Sequence, residues 1–332
     1  MLEGPQHGRL RRLRRHPTLR AMLQSVRLDR SELIAPLFVH HPLSGPREIP
    51  AMPGQFQHSL DSALDTVRRW ADLGLPAVLL FGIPSAKDPQ GSGAWDEAGA
   101  VQELTRRIKQ ALPRIVVITD VCLCEYTDHG HCGLLRRQAD GRVDVDNDAT
   151  LELLARVAVS QARSGADIVA PSAMMDHQVA AIRAGLDKAG LHDTAILSYA
   201  VKFASSFYGP FRQAAGSAPR EGDRRGYQMD PAAPDQAVLE AVADLREGAD
   251  MLMVKPAATY LDVIARVRRE VDVPLAAFHV SGEYACLKAA ARAGWLEEKP
   301  AVLEVTTAIK RAGADLIITY FAEDLAKWLS QA

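Results

Sequence analysis

Three cysteines, Cys122, Cys124 and Cys132, fall within the segment Asp120-Val121-Cys122-Leu123-Cys124-Glu125-Tyr126-Thr127-Asp128-His129-Gly130-His131-Cys132. A C-x-C-x7-C set offers soft thiolate donors suited to Zn2+, with His129 and His131 as reserve nitrogen donors. Three thiolates leave the fourth tetrahedral position open, which a catalytic zinc needs in order to hold water or a substrate atom. The spacing matches no common zinc-finger pattern. Buried inert thiols are the ordinary state of a lone cysteine such as Cys286, but a poor account of three so close together. Two lysines end apolar runs, in Tyr199-Ala200-Val201-Lys202 and Met253-Val254-Lys255. On neighbouring strands, only about 4.7–4.9 Å apart, their amines converge. Repulsion and desolvation then lower an amine pKa and leave a neutral nucleophile near pH 7, the requirement for Schiff-base chemistry with a carbonyl substrate. The competing account pairs one lysine with Asp120 or Glu125 and sets the other on a phosphate. A long segment over residues 203–228 reads as a lid, and its Arg212 and Arg224 could clamp a carboxylate.

The elements that must position these groups show in the apolar pattern. Nearly continuous apolar runs recur at 33–39, 77–81, 115–119, 167–170, 195–199, 251–254, 275–280 and 316–320. Such runs mean strands covered on both faces, as in parallel sheets. Helix-period stretches lie between most of them, among them 59–73, 149–164, 234–247, 261–270 and 301–312. Strand and helix alternating eight times predict an α/β fold, a (β/α)8 TIM barrel. The triplets Gly165-Ala166-Asp167, Gly248-Ala249-Asp250 and Gly313-Ala314-Asp315 each close a helix and open a strand, with glycine where the chain must turn left-handed. They mark the bottom of the barrel, so chemistry belongs at the opposite, carboxyl ends of the strands. Lys202, Lys255 and the cysteine segment are all read there.

Residues 1–30 stand apart as an amino-terminal arm ahead of a catalytic barrel at 31–332. Arg9, Arg11, Arg12, Arg14, Arg15 and Arg20 crowd it, with Leu10, Leu13 and Leu19 as apolar anchors. A subunit-embracing arm is preferred over a transit peptide, because the segment is short and poor in serine. It is preferred over a nucleic-acid tail, because no aromatic residues or second basic patch accompany it. The chain balances 39 Lys+Arg against 41 Asp+Glu, with 48% hydrophobic residues, which excludes a disordered chain or a generally polyanion-binding surface. No apolar stretch reaches the length of a membrane span. Four cysteines are too few for a disulfide scaffold, so reduced thiols and a cytoplasmic location are expected.

The sequence resembles the porphobilinogen synthase (5-aminolevulinate dehydratase) family from about residue 9 onward. The resemblance rests on Asp120-Val121-Cys122-Leu123-Cys124 with Gly130-His131-Cys132-Gly133, on Lys202-Phe203-Ala204-Ser205 with Phe207-Tyr208-Gly209-Pro210-Phe211-Arg212, and on Gly222-Asp223-Arg224-Arg225. It continues in Met253-Val254-Lys255-Pro256, His279-Val280-Ser281-Gly282-Glu283 and Ile317-Ile318-Thr319-Tyr320. It implies condensation of two 5-aminolevulinate molecules into the pyrrole porphobilinogen with loss of water, in tetrapyrrole (heme) synthesis. Lys255 would bind one substrate, with Ser281 and Tyr320 on its carboxylate. Lys202 would bind the other, with Arg212, Arg224 and Gln228 on that carboxylate. Asp120 is the implied proton-transfer partner, and zinc on Cys122, Cys124 and Cys132 would bind or polarise the second substrate. Glu240 aligns with a glutamate linked in some bacterial members to an allosteric Mg2+, and the arm implies a homo-oligomer, an octamer.

Three departures stand out. Ala173 replaces a common aspartate in Pro171-Ser172-Ala173-Met174-Met175-Asp176. Gly226 stands where animal members carry a cysteine for a second zinc, and Phe321 where a second tyrosine is usual. The enzymatic alternative is a class I aldolase, which needs one lysine and no metal. The non-enzymatic alternative is a zinc-stabilised scaffold or RNA-binding module using the arginine arm.

Overall fold

The computed structural model describes residues 9–330, so residues 1–8 of the expected arm and 331–332 of the expected barrel lie outside it. Eight parallel strands form the centre: β1 (Leu33–His40), β2 (Ala77–Ile83), β3 (Val116–Val121), β4 (Ile168–Pro171), β5 (Ala195–Lys202), β6 (Met251–Lys255), β7 (Leu275–His279) and β8 (Leu316–Thr319). Each pairs with the next, and β8 returns to β1 through Leu33↔Ile317 and Ile34↔Ile318, which closes the barrel. All eight expected runs are strands. Their residues are almost all buried, as a sheet covered on both faces requires. No helix of the described residues is long and apolar enough to cross a membrane.

The helices are α1 (Pro17–Met22) in the arm, then α2 (Leu60–Asp72), α3 (Ala100–Ala111), α4 (Asn147–Arg163), α5 (Gln178–Lys188), α6 (Gly209–Ala215), α7 (Gln236–Arg246), α8 (Leu261–Glu270), α9 (Ser281–Arg292), α10 (Glu298–Ala312) and α11 (Ala322–Leu329). Their starts follow from short polar side chains. Ser59 accepts from the Ser62 N–H to cap α2, and Asp146 accepts from the Ala149 N–H to cap α4.

The glycine triplets do two jobs at the barrel bottom. Gly165, Gly248 and Gly313 adopt φ of 101°, 106° and 120°, a region closed to most side chains. The aspartates beside them then tie neighbouring strands together. Asp167 accepts from the Val117 N–H, Asp250 from Ile196 and Asp315 from Leu275, each at 2.8 Å. Each carboxylate satisfies a backbone donor at the start of the preceding strand, where no ladder partner is available.

Six strands, β1 to β6, run one to three residues past the expected runs, among them β3 and β5. β3 continues through Asp120 to Val121, and β5 continues through Lys202. Both polar residues are therefore strand residues facing a pocket. In the described part of the arm, Leu10, Leu13, Met22 and Leu23 are all more than half exposed.

Candidate active site

The two lysines lie side by side at the mouth of the barrel, since Lys202 and Lys255 are register partners on β5 and β6. Both are almost fully buried. The Lys255 ammonium sits 4.3 Å from the centre of the Phe278 ring, 4.9 Å from Tyr199, and 5.4 Å from both Tyr208 and Phe211. Lys202 is 5.6 Å from the Tyr199 ring and donates to the main-chain oxygen of Ser172. Among the described residues neither lysine forms an ion pair with Asp120 or Glu125, so the lysine–carboxylate pairing weighed from the sequence does not occur. Burial, followed by repulsion from Lys202, lowers the Lys255 pKa to about 7. That supplies the neutral amine a Schiff base needs.

Asp120 and Glu125 face the same cavity. Asp120 accepts from the Ser172 hydroxyl at 3.1 Å through one oxygen, while its other oxygen is buried without a partner. Burial, then the neighbouring Glu125, raises its pKa to about 8. Glu125, raised to about 8 by burial and then by Cys124, is hydrogen-bonded to the Cys124 thiol at 3.3 Å. A carboxyl that holds its proton near neutrality is suited to exchange it with a bound substrate.

The thiols of Cys122, Cys124 and Cys132 are fully buried, and their sulfurs lie within 4.8 Å of one another. Three soft donors converging from one loop fit zinc better than magnesium. The reserve histidine donors do not join them. His131 spends its ring nitrogens on the Tyr227 hydroxyl and the Glu221 carbonyl, and His129 contacts the Pro89 carbonyl. Cys286, expected to be a buried inert thiol, is exposed on α9.

The segment 203–228, expected to be a lid, lies over the barrel mouth. Phe211 on α6 packs edge-on against Phe81 at 5.0 Å and tilted on Phe38 at 5.5 Å, which plugs the mouth with aromatic carbon. Arg224 is buried beneath it and donates to the carbonyls of Gly130 and Ser217. Arg212 is half-buried, and burial followed by the Arg224 charge lowers its pKa. The Nε of both arginines, both amide atoms of Gln228, and the hydroxyls of Tyr199 and Tyr320 are buried without a partner. Of these, Arg224 and Tyr320 line the lysine cavity, where unpaired donors suit a polar, anionic ligand. Ser281 differs from the rest. Its hydroxyl donates to the Phe207 carbonyl at 3.3 Å and accepts from the Phe211 N–H at 3.0 Å, so it holds the lid. The remaining free space is ≈ 20 Å³, room for about one water. A larger ligand does not fit this arrangement of the segment.

Glu240 is not part of this constellation. It stands on α7 beside an open cleft of ≈ 440 Å³ lined also by Asp144, Asp146, Asp148, Asp176 and Asp244. Among the described residues it joins no group of three metal-capable side chains with converging ligand atoms. Of the three departures, Ala173 is fully buried in the loop after β4 next to Ser172, so the absent carboxylate leaves Asp120 and Glu125 as the acidic groups of the cavity. A Cβ on Gly226 would touch Asp144, and Phe321 stacks on His279 at 5.9 Å with no hydroxyl to offer.

Tyr199 was not assigned a role from the sequence, yet its ring is the shared floor of both lysines. Strict alternation puts residues 199 and 202 on opposite faces. One extra residue in β5, where Ser198 to Val201 opposes Leu252 to Val254, resets the alternation and turns both inward.

A family model described as "Delta-aminolevulinic acid dehydratase" matches residues 7–328. The delta-aminolevulinic acid dehydratase of Methanothermobacter thermautotrophicus is 57% identical over 319 residues, covering 96% of each chain. That of Halalkalibacterium halodurans is 52% identical over 323 residues, covering 97% of each. The crystal structure of delta-aminolevulinic acid dehydratase (porphobilinogen synthase) from Toxoplasma gondii ME49, in complex with the reaction product porphobilinogen, superposes with a TM-score of 0.95. It is 43% identical and covers 98% of this chain and 93% of that one.

Proposed function

The chain belongs to the delta-aminolevulinic acid dehydratase family, and on that premise we propose that it condenses two 5-aminolevulinate molecules into porphobilinogen through Schiff bases on Lys202 and Lys255. It is a hydro-lyase of porphyrin synthesis. The observation that carries the reading is the register pairing of two buried lysines over one aromatic floor, beside unpaired arginines and three convergent thiols. An aldolase of the single-lysine kind leaves the second lysine and the thiols without a role.

The neutral Lys255 amine attacks the ketone carbon of one substrate, and the oxygen leaves as water once protonated. Asp120, a buried acid with one free oxygen, holds the proton for that departure and takes one back as the ring closes. Lys202 captures the second ketone. Arg212, Arg224 and Gln228 bind the carboxylate of that substrate, and Tyr320 binds the carboxylate of the first. Ser281 joins Tyr320 to the extent that its hydroxyl leaves the lid backbone. The closed lid excludes water, which favours imines over hydrolysis.

Cys122, Cys124 and Cys132 would hold a zinc ion, which supplies Lewis-acid polarisation at the second substrate. A magnesium ion, where one binds, would meet Glu240 at the acidic cleft. The arm at 1–30, with its exposed leucines, supports a homo-oligomer, an octamer, separate from the catalytic unit at 31–332. Four free cysteines accord with a reducing cytoplasm and nucleic acid is not an expected partner.

The test is incubation of metal-defined protein with 5-aminolevulinate, with detection of the pyrrole and borohydride trapping of the adducts. Pyrrole formation with substrate trapped on Lys255 is expected. Zinc-loaded protein that yields no pyrrole would overturn the proposal.

A further inference from the structure

The block His279-Val280-Ser281-Gly282-Glu283 opens α9, and its first turn touches two separate parts of the site. Glu283 is almost fully buried, yet its carboxylate faces main-chain donors instead of a cation. One oxygen accepts from the Ala258 N–H at 2.8 Å and the Thr259 N–H at 3.2 Å, and the other from the Val280 N–H at 2.8 Å. Ala258 and Thr259 lie in the turn that leaves β6 directly after Lys255. Three main-chain bonds to one buried carboxyl fix where that turn sits, and with it the backbone of the lysine.

The lid rests on the other side of the same turn. A Cβ on Gly282 would lie 2.5 Å from the Phe207 carbonyl oxygen, 2.7 Å from its Cα and 2.9 Å from its carbonyl carbon. Those are backbone atoms, so no side-chain rotation relieves the contact, and the lid seats against a bare Cα. Ser281 bonds Phe207 and Phe211 beside it. The loop closes through Tyr208, whose hydroxyl donates to the Lys255 carbonyl at 3.3 Å.

We propose that the first turn of α9 couples lid closure to the Schiff-base lysine, with Gly282 as the positioning residue for the lid and Glu283 as the positioning residue for Lys255. This rests on the reading of Lys255 as the substrate-binding amine. With the lid down, Phe207 and Phe211 press on the turn that Glu283 ties to residues 258 and 259. An open lid frees that turn and loosens the lysine, so capture of a ketone is fastest once water is excluded.

The test uses the full zinc-loaded protein, hydrogen exchange resolved to peptides, and borohydride trapping with saturating 5-aminolevulinate. Gly282→Ala should speed exchange across residues 203–212 at least tenfold and raise KM more than it lowers kcat. Glu283→Gln, which loses one acceptor and presents an amide to a main-chain donor, should slow trapping on Lys255 at least tenfold at saturation and also speed lid exchange. Glu283→Asp should restore part of both. Exchange in β7 and β8 verifies that the variants keep the barrel. Wild-type protein gives a readout independent of any variant. Trapping substrate on Lys255 should protect the Phe207–Phe211 and the Ala258–Thr259 amides together. Protection of one segment without the other, or folded variants with wild-type exchange and trapping, would overturn the coupling. If the wild-type protein traps substrate on neither lysine, the reading of the site fails instead.

Discussion

Replacing Lys202 by methionine should raise the pH at which Lys255 becomes reactive, and the structure sets the scale. Lys255 falls from an ordinary 10.5 to about 7, chiefly through burial and then through the charge on Lys202. That whole depression corresponds to about 5 kcal/mol in favour of the neutral amine. The two ammonium nitrogens lie 5.6 and 4.9 Å from the centre of the same Tyr199 ring, which caps their separation at about 10.5 Å. At that limit, with an effective dielectric of about 20, repulsion is about 1.6 kcal/mol, or about 1.2 pH units. The midpoint should therefore rise by at least about one unit in Lys202→Met, a change that keeps the side-chain bulk.

The assay traps 4-oxopentanoate, the substrate skeleton without its amine, with cyanoborohydride from pH 6 to 10 and reads the Lys255 adduct by mass spectrometry. In the wild-type protein the adduct should rise through about pH 7, because a depressed lysine pKa makes the amine neutral above that value. A wild-type midpoint near 10 would refute the buried neutral amine. An unchanged midpoint in Lys202→Met would refute the repulsion between the two lysines.

Cys122→Ala should lower zinc affinity at least 100-fold, with less than one zinc per chain by elemental analysis after desalting, while chelation of the parent protein should remove activity and added zinc restore it. Gly130→Ala combines a φ of +75° with a Cβ 2.3 Å from the Ala218 carbonyl oxygen, beside the carbonyl that receives Arg224. It should cost about 1–3 kcal/mol in thermal unfolding and raise KM. Asp244, bonded to Ser198, is raised from 3.8 to about 7, mainly by burial. The unfolded chain releases that proton near pH 4 and the folded chain only near pH 7, so the group costs stability progressively across that window and by about 4 kcal/mol above it. Asp244→Asn should then raise the unfolding midpoint more at pH 8 than at pH 5, measured in chelator. An equal gain at both would contradict the assignment.

Much of the site was legible because its parts are local. A cysteine triad on one loop brings its sulfurs together whatever the rest of the chain does, and an apolar run ending in lysine places that lysine at a strand terminus. What the pattern underplayed were polar residues inside strands. Asp120 reads as the start of the loop after the third strand, because charge usually marks the end of a buried run, whereas Lys202 reads as the last residue of its strand. Here each remains in the ladder, since the barrel mouth gives it a cavity to face. The histidines were over-read for the same reason. Their spacing allows metal ligation, but Tyr227, Glu221 and Pro89, all distant in sequence, capture their ring nitrogens first. Tyr199 was beyond reach altogether. Its placement depends on one extra residue in β5 opposite β6, and alternation counted along a single strand cannot register a mismatch that exists only between two. A shift of one residue in that pairing would turn the ring away from the lysines while leaving their apolar runs, and every motif, intact. Schiff-base chemistry is written in the lysines, but the surface over which their amines meet is written in the register.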